Sequence, residues 1–196
     1  MNPSPVRPNG IADRLWRHHL RPVRLALLLL LLASGASAQV RLSAGATLPL
    51  AGDLGPAWSE RPGARGTITF GAYGGEVRMA LDLAQHDAMD GAAPEALPDF
   101  VAVNATLGWG PVLTLGPVRL SPGAEIGAGR FMFDDDGAFG GNQSSESELL
   151  AGAYLRAGAP LAGRLEAWAE TGVRRTFFST PQTTAGASGG LALRLW

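Results

Sequence analysis

Beyond its first 38 residues the chain has one histidine, His86, and it stands beside Asp87. Such a pair is the base and orienting half of a nucleophilic triad, for which Ser43, Ser59 or Ser179 would supply the hydroxyl. No serine adjoins it in a recognisable pattern. A histidine where a strand meets its loop is expected to be solvated, so no catalytic residue is assigned. Asp134-Asp135-Asp136, with Glu146 and Glu148 later in the same loop, present hard oxygen ligands of the kind Ca²⁺ takes. They lack the alternating ligands and central glycine of an EF-hand, and a solvated acidic loop is the expectation. Neither a metal nor a cofactor site is assigned. Glu166 and Glu170 are four residues apart and share a strand face, a spacing that invites acid–base chemistry. Arg156 and Arg174 share that face, and ion pairing accounts for all four more simply.

These side chains need elements that put them on one face, and the sequence supplies alternating strands. From Val101 to Leu115 every odd residue is apolar, while the even positions include Asn104, Thr106, Gly108, Gly110 and Thr114. Successive strand residues point to opposite sides, so this is one wall of each kind. Seven further segments keep one phase: Val40 to Leu48, Ile68 to Ala72, Val77 to Leu83, Val118 to Ala128, Leu149 to Ala157, Leu165 to Val173 and Leu191 to Leu195. The opposite phase carries Arg41, Glu76, Arg78, Asp82, Arg119, Glu125, Arg156, Glu166, Glu170, Arg174 and Arg194, together with Thr67, Thr69 and Tyr154. Six arginines and five acids on one face would nearly neutralise one another in a small closed lumen.

The connections alternate in length. Gly74-Gly75, Gly116-Pro117 and Pro160 to Gly163 are tight turns, whereas about 51–64, 86–99, 134–146 and 179–185 are longer loops. Pro49 and Pro122 mark bulges or strand ends. The expected fold is all-β, a closed up-and-down eight-stranded antiparallel transmembrane β-barrel whose interior is filled by side chains. Phe100, Phe131, Phe133, Phe177 and Phe178 near the loop ends, with Tyr73 and Trp196 near the turn ends, would form the aromatic girdles of such a barrel.

Arg7, Arg14, Arg17, Arg21 and Arg24 precede the apolar run to Leu32 and the small residues Ala36-Ser37-Ala38, the pattern of a cleavable signal peptide over residues 1–38. The remaining 39–196 is one domain with eleven arginines against sixteen acids, a balance that argues against nucleic acid as a partner. There is no cysteine, so neither disulfides nor thiolate metal sites arise.

On these features residues 39–196 resemble the small eight-stranded outer-membrane β-barrels, the group of the outer-membrane protein A transmembrane domain and outer-membrane protein X. The resemblance implies an outer-membrane location, contact with lipid and lipopolysaccharide, and biogenesis through periplasmic chaperones and the barrel-assembly machinery. It also implies a monomer with a structural or surface-interaction role, in adhesion or envelope integrity, through an unknown loop ligand. In that family a terminal aromatic belongs to the assembly signal, and Leu191, Leu193, Leu195 and Trp196 would be its residues here, although Trp196 falls on the opposite phase from the leucines. The lumen network would be Arg41, Arg78, Asp82, Glu125, Arg156, Glu166, Glu170, Arg174 and Arg194, closing the barrel to conduction. Two other readings are an enzyme acting on outer-membrane lipid through His86 and a soluble secreted barrel holding an apolar ligand.

Overall fold

The computed structural model describes residues 39–52, 58–89, 99–133, 146–177 and 181–195. Residues 1–38, and with them the signal peptide, lie outside the described residues, as do Asp134-Asp135-Asp136, Phe178, Ser179 and Trp196. The strands are β1 (Val40–Gly52), β2 (Trp58–Glu60), β3 (Gly63–Ala72), β4 (Gly75–Ala88), β5 (Phe100–Pro111), β6 (Leu113–Leu115), β7 (Val118–Phe133), β8 (Glu146–Ala162), β9 (Leu165–Thr176) and β10 (Thr183–Arg194).

These ten segments make eight staves. Both β2 and β3 pair with β4, and the partner sum changes by one residue between Glu60↔His86 and Ala64↔Leu83, so Arg61 and Pro62 sit in a bulge of one continuous stave. In the same way β5 and β6 both run along β7 in a single register, interrupted at Val112. Every neighbouring pair is antiparallel, and the pairing of β4 with β5 joins the two ends of the path, leaving no open edge.

Proline explains the irregularities. Pro49 stands at the register shift between β1 and β10, where a missing N–H is tolerated. Pro122 lies on β7 opposite the gap between β5 and β6, so its absent donor falls where the ladder is already open. Of the tight turns, Gly116-Pro117 stands where expected, and the one expected at Gly74-Gly75 lies one residue earlier, since Gly75 already begins β4. At Tyr73-Gly74 both residues have positive φ (53° and 72°), as a type I′ hairpin requires, and Gly116 (φ 60°) opens the second. The third is Gly163-Arg164 with Gly163 at φ 52°. Here the expected turn beginning at Pro160 is corrected: β8 continues to Ala162, and Pro160 is absorbed at a register irregularity against β9.

The alternation sorts side chains by solvent. Leu81, Leu107, Ile126, Leu155, Val173 and Leu191 are exposed on the outer wall, Ile126 by 66%. Arg65, Arg78, Asp82, Glu125, Glu166 and Glu170 are buried within. A soluble barrel would place the apolar phase inside, and this one places it outside.

Candidate functional site

Four strands of the lumen wall deliver the charges of one cluster. On β4, Arg78 and Asp82 are four residues apart and so point the same way; β3 sets Arg65 directly across from Asp82; Glu125 comes from β7, and Glu170 and Arg174 from β9. The six close into a ring of alternating sign. Arg65 donates to Asp82 at 2.8 Å and meets Glu170 at 3.0 Å, while Arg174 reaches Asp82 at 2.9 Å and donates from Nε to Glu125 at 2.6 Å. Arg78 completes it by pairing with both Glu125 and Glu170. Thr106 donates a further hydrogen bond to Glu125 at 3.0 Å.

Arg78 is 1% exposed and is the largest fully buried side chain among the described residues. Its guanidinium carbon lies 3.6 Å from the Tyr154 ring centre, a cation–π contact in a desolvated setting. Glycine makes room for that ring. A Cβ on Gly123 would run into the Tyr154 ring tip, and one on Gly108 would stand 3.0 Å from its edge.

Toward the tight turns lies a second cluster. Glu76 pairs with Arg41, and Glu166 takes a hydrogen bond from Arg119 at 2.6 Å with Arg41 and Arg194 at 3.5 and 3.6 Å. Arg156 bridges the two levels: it donates to Ser43 at 2.7 Å and Thr67 at 3.3 Å, lies 4.3 Å over the Trp168 ring, and reaches Glu170 at 3.7 Å. Every charged residue expected in the lumen is therefore placed there, with Arg41, Glu166 and Arg194 in this lower cluster. The sequence pattern does not single out Arg65 or Trp168. Arg65 has the right phase, two residues before Thr67, but it follows Gly63-Ala64 in a stretch that reads as loop.

Toward the long loops the lumen ends in aromatics, and three expectations are corrected. Phe100, Phe131 and Phe133 do not form a girdle: β5 and β7 set them on the phase of Thr106 and Glu125, facing inward. Phe100 is buried and packs edge-on against Trp58 and Phe131, at 5.8 and 5.4 Å between ring centres. His86 is no solvated loop residue. It is buried within β4 and stacked on Phe100 at 4.3 Å, because Phe100 is its register partner across the β4–β5 pair. Counted from Gly75 at the turn, it lies past the roughly 9–11 residues with which a tilted strand crosses hydrocarbon, in the loop-end mouth of the barrel. Burial pushes its pKa down to about 4, against the opposing pull of Asp87. Glu60, its partner on β2 in the same mouth, is pushed upward by burial, partly offset by Arg174. Glu148 is likewise buried on β8, not part of a solvated loop. Phe177 and Tyr73 do face outward, Tyr73 by 83%. Of the candidate nucleophiles, Ser43 is engaged by Arg156, and the Ser59 hydroxyl meets the Asp87 carbonyl, on the far side of the sheet from His86.

A closed barrel of eight staves is also the fold of solved proteins. Neisserial surface protein A superimposes with a TM-score of 0.52 at 14% identity, over 82% of this chain and 98% of that one. The fold is that of the small eight-stranded outer-membrane barrels. A major outer membrane protein from Thermus thermophilus matches equally well, with a TM-score of 0.54 at 16% identity over 82% of this chain and 100% of that one. No protein-family model matches the sequence, and neither does any curated protein.

Proposed function

We infer that this is an outer-membrane barrel, delivered by cleavage of residues 1–38, whose lumen does not conduct and whose role is structural or a surface interaction made by its loops. The observation that carries this reading is the six-charge ring of Arg65, Asp82, Arg174, Glu125, Arg78 and Glu170, which occupies the middle of the lumen. Above and below it lie separate cavities of about 60 and 20 Å³ that share no lining residue. An ion on the axis would have to displace charges that are already mutually neutral and nearly dry.

With transport set aside, the longer loops are the surface left to recognise a partner, held on a rigid scaffold. The tight turns and both barrel termini would face the periplasm, and the outer wall would meet lipid and lipopolysaccharide. Leu191 and Leu193, exposed on the last strand, are accessible to an assembly factor. Fractionation tests the location: the protein should be found in outer membranes as a band whose mobility changes on heating, and recovery in a detergent-free soluble fraction would refute it. Purified barrel in planar bilayers should give no stable open conductance.

A further inference from the structure

The turn-end cavity is small and lined mostly by polar and charged side chains. It measures about 20 Å³ and is lined by Arg41, Thr69, Glu76, Arg119, Ser121, Arg156 and Glu166, with Val112 and Trp168 as apolar wall. Arg41 Nε is buried with the Glu166 carboxylate at 3.5 Å and no closer acceptor, and Thr69 Oγ1 and Ser121 Oγ are buried without a hydrogen-bond partner. Their residues are 6%, 2% and 5% exposed. Buried polar groups are satisfied with few exceptions, so two unpartnered hydroxyls beside a loosely paired guanidinium N–H around one small cavity point to an occupant.

Charge selects its sign. The ring above is neutral within itself, so Arg156 finds no unshared acid there. At the turn end Arg41, Arg119 and Arg194 meet Glu76 and Glu166, while Arg156 reaches Glu170, which Arg65 and Arg78 already share, so across the two clusters seven arginines stand against five acids. Hydroxyls can donate as readily as accept, and the Arg41 N–H can only donate. Size then selects the class: a space of this volume holds a water or a monatomic ion and excludes a carboxylate-bearing ligand or a phosphate. The side chains of Arg119 and Arg194 are 26% and 33% exposed, which marks the route from solvent.

We propose that the turn end of the lumen holds a halide ion, chloride in physiological media, between Arg41, Thr69 and Ser121. One halide there offsets one of the two surplus positive charges and makes barrel stability depend on the identity of the anion as well as on ionic strength. Crystals of the detergent-folded barrel grown in sodium bromide test this directly. One anomalous peak is expected within hydrogen-bonding distance of Ser121 Oγ and Thr69 Oγ1; density without anomalous signal means an ordered water only and overturns the proposal.

In solution, at constant ionic strength, replacing gluconate by chloride should raise the unfolding midpoint of the wild-type barrel along a saturating curve. The Thr69→Val/Ser121→Ala variant should lose that increment, and Ser121→Ala alone should weaken it if the double variant does not fold. A midpoint indifferent to the anion, or an equal increment in the variants, overturns the proposal.

Discussion

His86 shows how far a residue's state depends on what the chain brings to it from elsewhere. Burial in the barrel mouth holds its pKa near 4, below the ordinary 6.5, against the pull of Asp87. As pH falls the unfolded chain therefore takes up the proton first, and stability is lost between about 6.5 and 4. Glu60 works in the opposite sense, since its raised pKa lets the native barrel protonate first. A comparison of wild type with His86→Phe separates them: the unfolding midpoint of the wild type should fall more between pH 7.5 and 5 than that of the variant. Equal pH dependence would mean that His86 is not neutral in the native barrel. The lumen charges are tested by single replacement with Ala: Glu125 or Glu166 should each cost about 3–5 kcal/mol because partner charges stay buried and unmatched, and Arg156, whose removal takes the donor from Ser43 and Thr67, should cost less. Unchanged midpoints in detergent for all three would contradict a structural role. Most of these charges are legible from phase alone. The burial of His86 is not, because it needs Phe100 and Trp58, which arrive from other strands.

The strands themselves are legible because alternation with period two survives along each stave, and tight turns carry glycine where φ must be positive. Less visible is the place where a stave begins or breaks. The bulge at Arg61 and Pro62 shifts the phase by one residue, which keeps Trp58 and Glu60 inward although Arg65 is inward too. A stretch rich in glycine and proline hides that from any simple alternation. Phe100, Phe131 and Phe133 differ from the girdle expectation for another reason: nearness to a strand end suggests a membrane interface, but phase decides which wall a ring joins, and theirs is the lumen phase. At this scale glycine sets a sharp contrast. Gly123→Ala should destabilise by about 1–3 kcal/mol because its Cβ meets Tyr154. Gly66→Ala, which meets nothing within 4 Å, should change stability by about 0.5 kcal/mol or less, read from denaturant midpoints of the two variants.

At the scale of the whole barrel the two walls answer two solvents, and the mean hydropathy of the chain conceals this because the exposed leucines and buried arginines average out. The six-charge ring draws on β3, β4, β7 and β9, strands whose paired charges stand as far apart in sequence as the 105 residues (170 − 65) from Arg65 to Glu170. A partial sheet that had inserted β3, β4 and β7 before β9 would hold Arg65 and Arg78 in hydrocarbon without Glu170, an expensive state. Folding into bilayers should therefore show one transition, with the same rate constant whether it is followed by Trp109 on β5 or Trp168 on β9 in otherwise tryptophan-free variants. The charges that fill the lumen thus act as a checksum on assembly: they cancel only when every contributing strand has reached its own register.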